Sequence, residues 1–405
     1  MNIWIINHYA IPPSRSGGTR HHSLARELCK RGHKVSIIAS NSHYTKIEDL
    51  LSPNEDFRQE IIEEIQYLWV KSPSYADNAL GRFKNMFSFG VSILRASWQN
   101  QITKPDLIIS STPHLFTPFF SILLAKKLNT KIIIEVRDIW PDSIVEIGNI
   151  SNFHPMILIF RAIEKYIYKN ANGIITLLPA SIPYIKKTSN LTPIICIPNG
   201  IDLKLIQPEK LSFKKSNGLF TVMYAGAHGA ANGLNCVINA AAKLRDRNVG
   251  FQLRLIGQGH EKASLIQLAI DYDLQNISFE DPVPKSDIHA VMAEADAFIF
   301  ILKKSPVFRW GISPNKLFDY MAVGRPILFG VDTPYNPILE SQSGYFFDSD
   351  SSDDLANSIE KIINLPLPDQ LKMGINAKEF VFKNHNFNIL GEKLNEFVIQ
   401  IHDKQ

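Results

Sequence analysis

The chain has 405 residues, of which 45% are hydrophobic and 20% charged, and a formal charge of +4. That length is too great for one ordinary core and predicts two domains, while the composition excludes a disordered or low-complexity protein. The first 200 residues hold 22 Lys and Arg against 15 Asp and Glu, a balance of +7, and the remainder 21 against 24, a balance of −3; the asymmetry suits an anionic substrate or lipid surface but is too mild and unclustered for nucleic acid.

In chain order, the first elements read as strand Ile3 to Asn7, a loop through Gly17 and Gly18, a helix over 20–31 and a strand over 34–39, a βαβ opening. Leu24, Ala25 and Leu28 share one helical face, and Gly32 suits the left-handed position that ends it. Further apolar runs at 107–111, 131–136, 173–177 and 194–197 complete a parallel sheet covered on both faces. A polar stretch near 200–217 reads as a linker. The alternation then restarts: strands at 220–225, 251–256, 277–280, 297–302 and 326–330, helices at 234–246, 261–272, 286–294 and 315–322, and a last helix near 386–403. The expected fold class is therefore α/β, with two Rossmann-like doubly wound domains: 1–200, 201–385, and a terminal helix, 386–405, that crosses back to the first. Ligands in such sheets bind beyond the carboxyl ends of the strands, so two facing sheets predict one cleft.

The opening enters a strand without a basic leader, so no signal peptide is expected, and no apolar run approaches the ~20 residues of a membrane span. The three cysteines, Cys29, Cys196 and Cys236, form no CxxC pair, which argues against a disulfide framework or zinc site and fits a reducing cytosol.

Three glycine loops follow strands and precede helices: Gly17 and Gly18, Gly226 with His228, and Gly257 with Gly259. Each lets backbone N–H groups and a helix's positive end approach an anion, or serves only as a tight turn. The segment Gly311-Ile312-Ser313-Pro314-Asn315-Lys316-Leu317-Phe318-Asp319 is richer. Pro314 and Asn315 start a helix, and Lys316 falls in its first turn, where a cation opposes the dipole unless an anion is bound. Asp319 lies on the same face, placed for ribose hydroxyls. In the first half Arg137 and Asp138 end a strand, and His114 follows another. Asp138 is a carboxylate at the end of that strand, free to face a ligand, or else it caps the loop 139–142 or pairs with Arg137. Asp348-Ser349-Asp350 precedes Ser351-Ser352-Asp353-Asp354, a normal helix start, and reads as structural. No metal-ligand spacing is found.

Together, Ser16-Gly17-Gly18-Thr19-Arg20-His21, Arg31-Gly32-His33, Arg137-Asp138-Ile139-Trp140-Pro141-Asp142-Ser143, Pro198-Asn199-Gly200-Ile201-Asp202, Tyr224-Ala225-Gly226, Gly257-Gln258-Gly259 and Ser313 to Ala322 resemble family 4 of the glycosyltransferases, with the GT-B fold. Within it the chain is similar to bacterial O-antigen and capsule enzymes of the fucosamine transferase type. The resemblance implies a retaining transferase that moves a sugar, with N-acetylated deoxyhexoses favoured, from a UDP-sugar to a lipid-linked glycan acceptor. It implies no cofactor beyond the donor. Asp319 matches the second carboxylate of the family's Glu-x7-Glu motif, and Gly311 stands where the first belongs. The expected site is catalytic Asp138, Arg137 and His114, with Gly17, Gly18, Gly226, His228, Gly257, Gly259, Ile312, Ser313, Pro314, Asn315, Lys316 and Asp319 on the donor. A UDP-sugar epimerase of the same fold and a noncatalytic nucleotide-sugar-binding protein are the alternatives.

The segment 82–98 places Phe83, Met86, Phe87, Val91, Leu94 and Trp98 on one helical face beside Arg82, Lys84 and Arg95, and 156–169 repeats the pattern with Ile159, Phe160, Ile163 and Ile167. Such basic amphipathic helices predict a cytoplasmic enzyme docked on the anionic inner face of the cytoplasmic membrane, unless both stripes pack onto the sheet.

Overall fold

The computed structural model describes residues 1–15, 18–42, 50–52, 54–73, 79–206, 218–284 and 287–404. The chain divides into two compact units, Met1–Pro198 with Phe387–Gln405, and Asn199–Asn386.

The strands of the first unit are β1 (Asn2–Ile6), β2 (Lys34–Ser40), β3 (Phe57–Ile62), β4 (Ile65–Val70), β5 (Leu107–Ser111), β6 (Lys131–Val136), β7 (Gly173–Thr176) and β8 (Ile194–Cys196). They lie in the order β3-β4-β2-β1-β5-β6-β7-β8, parallel except for the β3–β4 hairpin. Ile3 stands opposite Val35 on one side and Leu107 on the other, so β1 is central. Its Ile3, Trp4, Ile5 and Ile6 are all buried, as an unbroken apolar strand covered on both faces requires. The order reverses between β1 and β5, which makes the loops after those two strands the natural ligand crevice of this unit.

The helix Arg20–Lys30 buries Leu24, Ala25 and Leu28 and ends at Gly32, whose φ of +83° is left-handed. Against it packs the terminal helix Phe387–Asp403, burying Phe387, Leu390, Leu394, Phe397, Val398 and Ile401 in the core of the first unit. A Cβ at Gly391 would strike the Glu27 side chain, so the two helices approach closely only because 391 is glycine.

The second unit holds β9 (Phe220–Ala225), β10 (Phe251–Ile256), β11 (Ile277–Glu280), β12 (Ala297–Ile301), β13 (Ile327–Gly330) and β14 (Gly344–Phe346). All pairings are parallel in the order β11-β10-β9-β12-β13-β14, the doubly wound pattern with its reversal between β9 and β12. The helix Asn315–Val323, entered after β12, buries Leu317, Phe318, Tyr320 and Met321 and packs against the helix Leu367–Asn384. Covered on one side by the core and on the other by that helix, it is a rigid mount for the polar residues of its first turns.

The stripe expected over 82–98 is divided in the structure. The helix runs Ala79–Ile93 and a separate short turn covers Ala96–Gln99. Met86 and Trp98 are core residues, Trp98 lying against Trp4 at 5.4 Å between ring centroids, whereas Leu80, Phe83, Phe87 and Val91 are exposed. In the helix Pro155–Asn170, likewise, Phe160 and Ile167 are buried while Leu158 and Ile159 are exposed.

Candidate functional site

In the first unit the buried His8 and His114 meet beyond the carboxyl ends of β1 and β5. His8 Nδ1 lies 2.8 Å from His114 Nε2, and the His8 ring is stacked between Tyr9 and Phe89, at 4.3 and 4.5 Å. The Thr117 backbone N–H donates to His114 Nδ1 at 3.4 Å, so the His114 proton belongs on Nε2, from which it donates to His8. His114 is fully buried, and burial followed by the charge of Arg82 pushes its pKa down to about 3. It is held neutral beside His8.

Beneath this pair sits a hub absent from the sequence reading. The buried Glu135 carboxylate at the end of β6 accepts from Arg20 Nε at 2.8 Å, His21 Nε2 at 2.7 Å and Ser111 Oγ at 2.6 Å. Burial alone would raise its pKa, but Arg20 and His21 outweigh that and hold it well below the usual carboxylate range. Arg20 also donates to the carbonyls of Ile197 and Pro198. One side chain therefore fixes the carboxyl ends of β6 and β8, and with them the loop that carries the half-buried Arg137 and the exposed Asp138. The helix that follows begins at Asp142 with Pro141 before it, so Asp138 is not its cap. Asp142 is engaged instead by Arg161 at 3.0 Å. Gly18 is half-buried ahead of the first helix, and Gly17 lies outside the described residues.

In the second unit the loops after β9 and β10 run side by side. Gly226 N–H donates to the Ile256 carbonyl and His228 N–H to that of Gln258, both at 2.9 Å. A Cβ at Gly257, whose φ is +145°, would collide with the Gly226 carbonyl, and one at Gly259 with that of His228. Glycine at 257 and 259 is thus demanded by the crossing of two backbones. At Gly226 a Cβ would crowd the Lys316 stem at 3.2 Å, so that glycine makes room for the lysine. His228 is buried, and neither ring nitrogen has a hydrogen-bond partner among the described residues. Burial, then Lys262 and Lys316, push its pKa down to about 4.

Lys316, in the first turn of its helix, is half-buried. Its Nζ donates to Tyr224 Oη at 3.0 Å and Asn232 Oδ1 at 2.7 Å and lies 4.7 and 5.1 Å from the ring centroids of Tyr224 and Phe300. Desolvation pushes its pKa down to about 7. Among the described residues no carboxylate lies within ion-pairing distance of it. One turn on, Asp319 Oδ1 accepts from His289 Nε2 at 3.1 Å, a partner on the short helix Ile288–Met292 that the sequence did not suggest. His289 is itself buried.

The rest of the segment serves its own loop. Ser313 accepts from Asn199 N–H through Oγ at 2.7 Å, and its carbonyl accepts from Asn199 Nδ2; Ile312 is buried, and Pro314 precedes a helix that starts at Asn315. Gly311 has φ +94° and ψ 175°, a region almost confined to glycine. The backbone at this position does not accommodate the carboxylate that the Glu-x7-Glu pattern would place there. Asp348 and Asp350 pair with Lys304 at 2.7 and 3.5 Å, and Ser351 caps the helix that follows.

Comparison with known proteins accords with this arrangement. Residues 17–205 match the description Glycosyltransferase Family 4, and residues 207–380 match Glycosyl transferases group 1. The chain is similar to WcaI of Escherichia coli (strain K12), a glycosyl transferase named for colanic acid biosynthesis, with 24% identity over 73% of this chain and 75% of the relative. Among solved structures it is similar to sucrose-phosphate synthase from Thermosynechococcus elongatus (TM-score 0.77, 16% identity, 99% of this chain and 98% of that one). It is also similar to Anabaena HepE in complex with UDP and glucose (TM-score 0.66, 14% identity, 98% of each chain). The chain carries a family 4 glycosyltransferase domain followed by a group 1 domain, and is a glycosyltransferase of the GT-B type.

Proposed function

We propose that the protein is a retaining glycosyltransferase that moves a sugar, within its resemblance an N-acetylated deoxyhexose, from a UDP-sugar to a lipid-linked glycan in the assembly of a bacterial surface polysaccharide. The observation that carries this reading is Lys316: a half-buried lysine with no carboxylate partner among the described residues, at the N-terminus of a rigid helix beside the β9/β12 reversal. A diphosphate supplies the missing anion, and the helix dipole adds to the attraction. Asp319, oriented by His289, is the ribose carboxylate, and His228 donates to or accepts from the nucleotide. Diphosphate departure is assisted by Lys316 without a metal ion. The solved relative with UDP and glucose supports a UDP donor, and the relative named for colanic acid biosynthesis supports a polysaccharide product.

In the first unit Asp138 supplies negative charge to the reacting carbon, with Arg137 beside it and the His8–His114 pair shaping the crevice. The exposed Leu80, Phe83, Phe87, Leu158 and Ile159, joined through Phe83 to Phe160 ring contact at 6.4 Å, lie among the exposed Arg82, Lys84, Lys165 and Lys169. This face docks on the anionic inner surface of the cytoplasmic membrane, each basic group near the lipid adding about 1 kcal/mol. A binding screen of nucleoside diphosphates and their sugars tests the donor reading. Uridine nucleotides bind and guanosine nucleotides do not; a guanosine preference overturns the assignment.

A further inference from the structure

A neutral amine carries two N–H groups and one lone pair, and an ammonium carries three N–H groups. Around Lys316 Nζ the protein provides two acceptors, Tyr224 Oη and Asn232 Oδ1. The Tyr224 hydroxyl donates its own proton to the Ala227 carbonyl at 2.8 Å, so toward Lys316 it is held as an acceptor. The two remaining neighbours are the faces of Tyr224 and Phe300. The site thus matches both N–H groups of the neutral amine, while the third N–H of the ammonium meets ring faces and no carboxylate among the described residues.

The titratable groups on the surrounding elements do not alter this. Tyr224 on β9 and Tyr320 on the lysine's own helix are pushed upward by burial and stay protonated. His228, in the loop after β9, is held neutral and sits between the influence of Lys316 and Lys262. Lys262 is engaged by the Gly257 and Glu280 carbonyls and Asp281. Lys303 follows β12, and Asp319 is engaged by His289.

We propose that Lys316 is a neutral amine in much of the free protein and takes up a proton when a nucleoside diphosphate binds, so that donor binding is coupled to proton uptake at this one side chain. The inference rests on the nucleotide-sugar reading above. The Nζ lone pair accepts a proton from solvent or a buffer acid, whose conjugate base is released. The third N–H so formed then donates to a phosphate oxygen. Its burial-depressed pKa of about 7 places the equilibrium in the physiological range, and the nearby diphosphate charge raises it on binding.

The test is calorimetry of UDP binding to the full chain at pH 7.5 in buffers of different ionisation enthalpy. The wild-type protein takes up about 0.5–0.75 proton per UDP at this side chain, and its apparent affinity falls by up to about tenfold per pH unit above 7, as the binding-competent fraction shrinks. Lys316→Arg, which keeps a permanent charge, binds UDP with the Lys316 share of that uptake gone. Titration of the nucleotide's own phosphate is common to both proteins and cancels in the difference. His228→Asn retains the uptake, whatever it does to affinity. UDP binding without proton uptake, or the same uptake in Lys316→Arg, overturns the coupling and leaves the donor reading standing. An absence of binding by UDP and by UDP-sugars overturns both. The pH slope of the wild-type affinity decides the matter even where the variants fail to fold.

Discussion

Replacing Asp319 by alanine separates nucleotide recognition from the rest of the site. In the proposed complex its carboxylate accepts hydrogen bonds from both ribose hydroxyls. A hydrogen bond to a charged group contributes about 1.5–3 kcal/mol, so two sum to about 3 kcal/mol at the low end, a factor of about 100 or more in Kd. A second cost arises inside the protein: the buried His289 loses its 3.1 Å acceptor, which destabilises the second unit by about 1–3 kcal/mol. The melting temperature of that unit then falls by roughly 2–12 °C. The assay is competition between UDP and 2′,3′-dideoxy-UDP. The wild-type protein prefers UDP by about 100-fold or more, whereas Asp319→Ala binds the two equally. His289→Ala gives an intermediate preference, because the carboxylate remains but is no longer oriented. An unchanged preference for the ribose hydroxyls in Asp319→Ala would refute the assignment.

Asp138→Asn is expected to lower kcat by about 100-fold with little change in donor affinity, since it removes charge needed at the reacting carbon and not in the ground state; a lost affinity with normal turnover contradicts this. Gly311→Glu restores the family's missing carboxylate in sequence but forces a non-glycine residue to φ +94°, costing about 1–3 kcal/mol. Thermal unfolding should show the loss and turnover no gain, and an unshifted melting temperature refutes the strain. Glu164, buried beside Tyr184, has its pKa pushed up by burial to about 7, so the folded state binds more protons than the unfolded one between about 4.5 and 7. Its contribution is favourable below that window and is lost as pH rises through it. Glu164→Gln should therefore gain stability relative to wild type by roughly 3 kcal/mol between pH 4.5 and 8, and a pH-independent difference sinks the reasoning. Replacement of Phe83, Phe87 and Arg82 by serine should abolish co-sedimentation with anionic vesicles at low salt, whereas undiminished sedimentation removes this face from the membrane.

What the sequence made legible follows from periodicity and its limits. Continuous apolar strands such as β6 and β9 are unmistakable because both faces are covered, and they fall where the runs of Ile, Val and Leu place them. The β3–β4 hairpin escaped because its turn uses Glu63 and Glu64 at positive φ, where Asn or Gly normally announces the turn. The helix Leu367–Asn384 is amphipathic only in part, with Leu371 and Ile375 exposed. In the site, Lys316 and Asp319 were visible as a spaced pair at a helix start. Their environment was not: Tyr224, Asn232 and His289 reach them from other elements, and long-range contacts leave no mark in local spacing. The Glu135 hub was hidden for the same reason, since Arg20 and Ser111 lie far from it in the chain. The basic stripe over 82–98 misled in the opposite sense: a regular apolar period cannot tell which of its members face the core, and Met86 and Trp98 do.

The central claim is transfer of a sugar from a uridine diphosphate donor to an acceptor. It is tested most directly by incubating the best-binding UDP-sugar with lipid-linked glycan acceptors and identifying every product by mass and by the configuration of the new bond. The account predicts equimolar UDP and one new glycoside that keeps the anomeric configuration of the donor, at a rate unaffected by metal chelation. An isomerised UDP-sugar without a glycoside, or a donor returned unchanged from every acceptor, would contradict it.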